Sequence, residues 1–454
     1  MDSASRYDVV VVGGGLAGTT VAAELARIAP PAYRLLLIDA GDPGPGTAYA
    51  PRSDRLYMNG PAGSMSAVPG DKGHLVRWLG NEPPETMIAR STFGEYLRER
   101  FDAALSARPL FEVARAEAVD VTESRGHFVV SDARGSEWTA ANVVLALGNF
   151  PPDDSFLPQS LRAWRGFAAD PWRYDPPATT GDVLIVGSGL TAMDAIVQLD
   201  ERGFEGAFHI VSRHGLLPCL ENPRAKALDP SGLALRFDSP RSLLRSLRDA
   251  ARKHAAGGGD WRDVVESIRE ASPSIWSGWD ATERRRFLRH VQTYWAVHRY
   301  RVPPETAAVY HRLDRANRVV RHRGRIASGR VLRDGRFSID ITARGGTTVV
   351  AIGSAINCTG PNGDYGRIRH ALVRNLIRSG TIRPDPLHLG LDATEDFCTV
   401  ARDGTANERL FAIGPPLRGS LYETTAVPEV ARQAAGLAQT LVRGLASERL
   451  EAVS

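Results

Sequence analysis

Two stretches of this chain share one pattern, and few folds accommodate both. Tyr7 to Gly18, YDVVVVGGGLAG, is an apolar run that breaks into closely spaced glycines. Val9 to Val12 read as a strand buried on both faces, Gly13, Gly15 and Gly18 fit G-x-G-x-x-G, and Leu16 to Ile28 is apolar at helical spacing. Asp182 to Val186 is a second such strand; Gly187, Gly189 and Ala192 give G-x-G-x-x-A, and Met193 to Leu199 continues as a helix. In a strand, turn and helix of this kind the first glycine permits the tight turn and the second lets a pyrophosphate approach the backbone. The third position lets the helix pack against its strand. The helix N-terminus presents unpaired N–H groups to phosphate oxygens. Gly14, Leu16 and Ala17 complete the first phosphate-facing turn, and Ser188 the second. The duplication predicts an α/β chain with two Rossmann-like dinucleotide-binding domains.

The residue that closes the second strand of each unit separates the two ligands. Arg34 to Ile38 ends at Asp39, about 20 residues past the last glycine, where a carboxylate accepts hydrogen bonds from both ribose hydroxyls and repels a 2′-phosphate. That selects FAD or NAD over NADP. The corresponding strand, Ala207 to Val211, ends in Ser212 and Arg213. A hydroxyl beside a guanidinium suits a 2′-phosphate, so NADP is favoured here. Each unit then returns to its sheet. Segments at Glu112 to Thr122, His127 to Asp132 and Glu137 to Thr139 read as an antiparallel meander, followed by the strand Asn142 to Leu147 and Gly148. Arg325 to Thr348 repeats the meander and leads to Ala351 to Cys358 and the turn Thr359 to Pro361. A last strand, Leu410 to Ile413, runs into Gly414, a loop and a helix starting near Val427. The expected division is 1–150 with 362–454 as an FAD domain, and 151–361 as an NADPH domain carrying a helical cap at 216–324.

Three regions remain as candidates for chemistry. The loop GDPGPGTAYAPRSDRLYMNGPAGSMS after Asp39 is too long and too rich in Gly, Pro and Ser for an idle connection, and loops of this length tend to cover a ligand. Tyr49, Tyr57, Met58 and Asn59 suit lying against a flat ring system; the alternative is a surface excursion. The cap pattern has helices at Arg241 to His254, Asp260 to Ala271 and Thr282 to Val297, ending in QTYWAVHRYRVPP. There His298, Arg299 and Arg301 crowd together, either to bind an anionic group or as a cationic helix end favoured by the helix dipole. At the C-terminus, Thr424 and Thr425 precede a helix whose N-terminus would face a flavin edge, adding donors or simply capping the helix.

Composition narrows the classes. The chain has 454 residues, long enough for two or three domains at about 150 residues each. No run of about 18 apolar residues and no signal-like N-terminus occur, so a cytoplasmic protein without a membrane span is expected. A net charge of +4 with scattered arginines does not make a nucleic-acid groove. Cys219, Cys358 and Cys398 are far apart, which rules out a C-x-x-C redox pair and makes a disulfide framework or a zinc site unexpected.

Taken together, GTAY at 46–49, LYMNGPA at 56–62, SRHGLLP at 212–218, WAVHRYR at 295–301, INCTGP at 356–361 and RGSLYETTAVPE at 418–429 give a specific resemblance. The chain resembles a bacterial FAD-NAD(P)-binding family of two-dinucleotide-binding-domain flavoproteins, related to the flavin-dependent N-hydroxylating monooxygenases. The resemblance implies tightly held FAD on the outer parts of the chain and transient NADPH on the middle one. It implies N-hydroxylation of a small amine or amino acid through a flavin C4a-hydroperoxide. The sequence departs from the family's pattern at Gly60, where an apolar residue is usual, and at His298 and Tyr300, where paired histidines are usual. The expected activity is that of an NADPH-dependent monooxygenase acting with dioxygen on a carboxylate-bearing amine, with Asn59, His298, Arg299 and Arg301 as its catalytic candidates. A flavin reductase or dehydrogenase of the same fold, and a non-enzymatic flavin-binding regulator, are the alternatives.

Overall fold

The computed structural model describes residues 6–50, 53–124, 126–174 and 181–451. It contains two parallel-rich sheets of matching design. In the first, the strands run Phe111–Arg115, Leu35–Asp39, Arg6–Val12, Glu137–Leu145, Ala406–Ala412 and Cys398–Val400 across the sheet, all parallel except the last. In the second they run Val319–Arg323, Phe208–Ser212, Asp182–Val186 and Gly346–Asn357, with Phe167–Ala168 beyond. Each glycine-turn strand therefore sits centrally, between its second strand and the strand that closes the unit. Each closing strand also extends into an antiparallel pair: Ala118–Ser124 and His127–Asp132 in one sheet, Arg325–Val331 and Phe337–Ala343 in the other. Apolar side chains fill both faces of both sheets, as continuous Val, Leu and Ile runs in parallel strands require. Among the described residues, no helix is long and apolar enough to cross a membrane.

Three sequence expectations change. The segment 112–122 divides: Phe111–Arg115 is the parallel edge strand beside Leu35–Asp39, and only Ala118–Ser124 enters the meander. An edge strand exposed at most of its positions has no buried apolar run to announce it. The third cap helix is two helices, Ala281–His290 and Gln292–Arg299. The break at Val291 lets Phe287 and Trp295 pack into one cluster from different directions. The cap also ends earlier than 324. Helix Pro304–Arg315 buries Ala307, Tyr310 and Leu313 in the core of the second sheet, and Val319–Arg323 is a strand of that sheet. The cap proper is thus built from Pro240–Ala256, Trp261–Ser267, Ser272–Ser277, Ala281–His290 and Gln292–Arg299.

The long loop after Asp39 is a tie between the two sheets and not a surface excursion. Leu56 is 4% exposed and packs with Val183 and Ile196 under the second sheet. Arg90, opening the helix Arg90–Ala107, pairs with buried Asp194 of the second unit at 2.8 Å. On the other side, Tyr422 from the C-terminal segment stacks on Trp276 of the cap at 4.8 Å, and the Trp276 indole N–H donates to the Gly419 carbonyl at 2.7 Å.

Both glycine turns depend on one contact. Gly13 has φ 109°, and a Cβ there would lie 2.2 Å from the Ala146 carbonyl oxygen; Gly187 has φ 104°, and its Cβ would lie 2.4 Å from that of Cys358. Gly187→Ala should therefore destabilise the protein by more than about 1–3 kcal/mol from its backbone strain alone. Gly189→Ala, whose Cβ meets nothing within 4 Å, should leave stability near wild type. Chemical denaturation of the two variants checks this; equal midpoints would contradict the contact.

Candidate active site

Helices Leu16–Ile28 and Leu190–Glu201 begin at Gly15 and Gly189 with no side-chain cap and no acidic residue in the first turn. Their first amide N–H groups are left for an external acceptor, as phosphate binding at a helix start needs. A Cβ at Gly15 would make only ordinary contact with Gly46 at 3.6 Å, and one at Gly189 would point into open space, so both turns leave room for a phosphate against the backbone. Gly18 packs its helix directly on the first turn, with a Cβ there falling 1.9 Å from the Gly13 carbonyl oxygen, and Ala192 is fully buried at the matching place in the second unit.

Asp39 closes its strand with one carboxylate oxygen accepting from the Gly14 N–H at 2.5 Å and the other from Gly41 N–H at 2.7 Å. This fixes the carboxylate at the mouth of the turn with lone pairs to spare for ribose hydroxyls. The following loop doubles back over the turn, its Gly44 N–H donating to the Gly14 carbonyl at 2.7 Å. Leu16 joins the apolar cluster that holds Met58, and Tyr49 meets Phe93 edge-on at 4.8 Å. Gly414 lies against Ala17, and its N–H donates to Gln433 at 2.9 Å. The closing strand's approach to the turn is made by Ala146, two residues before Gly148, which has open space beside it.

In the second unit the Ser188 hydroxyl donates to the Leu216 carbonyl at 2.6 Å, tying the turn to the loop after Ser212. Ser212 accepts from the Gly215 N–H at 3.1 Å and keeps its own proton for a ligand. Arg213 is exposed. Arg323 is the register partner of Ser212 on the neighbouring strand, and among the described residues neither arginine is in an ion pair. The sequence reading missed Arg323; the basic ending of VVRHR was its only signal, and the strand pairing was not visible.

The loop, the cap and the C-terminal segment meet at a cleft of about 110 Å³. Tyr49, Met58 and Asn59 line one side, Thr425 and Val427 at the start of helix Val427–Glu451 another, and Arg299, Tyr300 and Arg301 the cap side. Thr424 is fully buried, and among the described residues its hydroxyl has no hydrogen-bond partner.

The three basic candidates, expected either to bind an anionic group or to form a cationic helix end, do not act as one cluster. His298 lies on the opposite face of its helix, exposed, bonding back to the Tyr294 carbonyl at 2.7 Å. Arg301 is 3% exposed and committed to two carboxylates, Glu221 at 2.9 Å and Glu266 at 2.5 Å, and to the His298 carbonyl at 3.1 Å. Arg299 keeps free donors inside the cleft. It is 6% exposed, with Glu423 and Glu429 at 3.8 and 3.9 Å, and among the described residues its Nε and Nη2 have no hydrogen-bond partner. Glu423 accepts instead from the Trp295 indole and the Tyr300 hydroxyl, each at 3.2 Å, and Glu429 from Arg269 at 2.6 Å. These glutamates went unnoticed because each sits singly in the sequence, far from its partner.

Burial sets the charges. It pushes the Glu221 carboxyl up, and Arg301 only partly offsets it. Burial acts the same way on Glu266 and Glu429, but there the neighbouring arginines win and hold both below the usual carboxylate range. Burial also raises all three thiols, Cys219, Cys358 and Cys398, and none of them lines the cleft.

Residues 10–150 match the FAD-NAD(P)-binding family. No curated protein matches the chain. Among solved structures, the ornithine N-hydroxylase of Kutzneria sp. 744 is similar at a TM-score of 0.65 and 13% identity, over 97% of this chain and 100% of that one. The L-lysine 6-monooxygenase of Pseudomonas syringae is similar at 0.64 and 14%, over 97% and 100%. So is the bacillithiol disulfide reductase of Bacillus cereus, at 0.57 and 14%, again over 97% and 100%. These likenesses establish the fold, with its two Rossmann-like units, and the family match falls on the first of them.

Two variants test the site. Gly15→Ala should fold normally yet retain little flavin, because the added methyl occupies the phosphate's place; full flavin retention would misplace the site. Arg301→Ala should lose about 3–5 kcal/mol of stability by leaving buried Glu221 without its partner, while Glu266 keeps Arg269 at 3.7 Å. A thermal midpoint near wild type would show that Arg301 is not the network's keystone.

Proposed function

We propose that this protein is an NADPH-dependent FAD monooxygenase that hydroxylates the nitrogen of a small amine bearing a second polar group. The observation that carries the reading is the pair Glu221 and Arg299, two buried groups of opposite sign in one narrow cleft, each with capacity left unused. Bound FAD would supply the acceptance of hydride from NADPH and the activation of dioxygen. The residues of the chain do the rest.

An amine enters as an ammonium ion and must lose its proton before its nitrogen can be oxygenated. Glu221 is placed to accept that proton at Oε1 or Oε2, since burial gives its carboxyl a basicity above the usual carboxylate range. Arg301 orients Glu221 through Oε2, and the Asn222 N–H does so through Oε1. Arg299 offers Nε and Nη2 to a carboxylate or carbonyl elsewhere on the same molecule, in the bidentate manner suited to guanidinium. Tyr49, Met58 and Tyr300 wall the cleft and limit water. The ornithine and lysine enzymes of similar fold are named for substrates with this combination of amine and carboxylate.

All three thiols are raised by burial and lie away from the cleft, which favours an amine over a thiol-dependent reaction there. For the reductant, Ser212 flanked by Arg213 and Arg323 favours NADPH.

Arg213→Ala should raise the KM for NADPH about ten- to a hundredfold, the worth of a charged hydrogen bond to phosphate, and leave that for NADH nearly unchanged. Equal losses with both would count against the assignment. Protonated Glu221 cannot accept a proton, so kcat/KM for the amine should fall on the acid side through a pKa above the ordinary carboxylate range. Glu221→Gln should lower the rate and remove that limb while FAD content stays intact. An unchanged acid limb, measured as hydroxylamine formed across pH, would take the proton acceptor elsewhere.

A further inference from the structure

The cap contains a second cavity that the flavin chemistry does not use. It has a volume of about 520 Å³, within the range of small-molecule sites. Leu243, Leu247, Ile268, Trp276, Trp279 and Phe287 form its walls, and all are buried. The space opens to solvent on one side, and apolar walls around a hollow of this size suit a small-molecule ligand.

The cavity is separated from the cleft by the helices Trp261–Ser267 and Gln292–Arg299 and the turn after the first. Val265, Ile268 and His298 face the cavity, while their sequence neighbours Glu266, Arg269 and Arg299 face the cleft. One pair of helices therefore presents an apolar face to one space and a charged face to the other. The charge around the cavity is of a single sign: Arg248 and Arg252 line it, with no aspartate or glutamate among the lining residues. Arg252 has the exposed Asp249 at 3.6 Å, and Arg248 has no ion pair among the described residues.

We propose that the cap cavity binds an amphipathic carboxylate, with its apolar body among the tryptophans and leucines and its carboxylate at Arg248. The apolar walls exclude a polar metabolite, and the lone basic sign of the rim selects an anion over a neutral or cationic head. This is a ligand site separate from the one that holds the amine, and it does not depend on which reaction the flavin performs.

The test uses the FAD-loaded full chain and the fluorescence of the cavity's own tryptophans, titrated with linear C8 to C14 carboxylates and with alcohols of the same lengths. Saturable quenching is expected, with carboxylates binding at least tenfold more tightly than the matching alcohols. Leu244→Trp, which fills the space from its wall, should abolish binding, and Arg248→Glu at the exposed rim should weaken carboxylates at least tenfold without affecting alcohols. Flavin content and thermal midpoint report folding for each variant; should Leu244→Trp fail to fold, Arg248→Glu decides. No saturable binding by any chain length, equal binding of alcohols and acids, or undiminished binding in folded Leu244→Trp or in Arg248→Glu would overturn the proposal.

Discussion

A backbone carbonyl pressed against a glycine holds this molecule's two halves to the same plan. The Ala146 oxygen stands where a Cβ of residue 13 would be, and the Cys358 oxygen where that of residue 187 would be. The N–H groups of Ala146 and Cys358 bond back to Val12 and Val186 at 2.9 and 2.7 Å. Each closing strand thus locks onto the end of the central strand as the chain turns into its helix, and the helix start is aimed outward with its amides unspent. The contact explains why both turns need glycine first. Cys358 is a packing residue on this account; its thiol is fully buried and raised.

The second layer of organisation is polar and joins parts distant in sequence. Residues 418–429 lie between the first sheet and the cap, and Gly419, Tyr422, Glu423 and Glu429 each have a partner in the cap. Tyr422 adopts φ 62°, unusual for a residue with a bulky side chain, and stacks on Trp276 while the next residue, Glu423, turns back to Trp295, Tyr300 and Arg299. A strained backbone persists when its surroundings fix it, and such positions cluster at functional sites. Burying Glu221, Glu423 and Glu429 with Arg299 and Arg301, beside the half-buried Glu266 and Arg269, gives little net stability, because desolvation offsets much of the attraction. What the network supplies is position. It leaves one guanidinium with donors to spare beside one carboxyl of raised pKa.

Local chemistry was legible in the sequence and long-range pairing was not. Gly13, Gly15 and Gly18 with Asp39, and Gly187, Gly189 and Ala192 with Ser212, announce themselves because a turn, a helix start and a strand end are set by neighbours. The meanders and closing strands were found for the same reason. The strand Phe111–Arg115 was missed as a separate element because an exposed edge has no apolar run. The basic residues near 298–301 were read as one cluster because sequence shows the arginines and not Glu221 and Glu266, some 80 and 35 residues away, which consume Arg301. Arg323 beside Ser212 was hidden by the same limit, since only strand register brings them together.

The central claim is that oxygen activated in the cleft ends on an amine nitrogen. The most direct measurement is isotopic: holoprotein turned over with NADPH under ¹⁸O₂ in the presence of a panel of small amino-acid and diamine substrates, with products read by mass. The account predicts one ¹⁸O atom in a hydroxylamine for at least one member of the panel. Oxygen label appearing only in peroxide and water across the whole panel, with NADPH consumed at an undiminished rate, would contradict it and leave a flavin-dependent NADPH oxidase in its place.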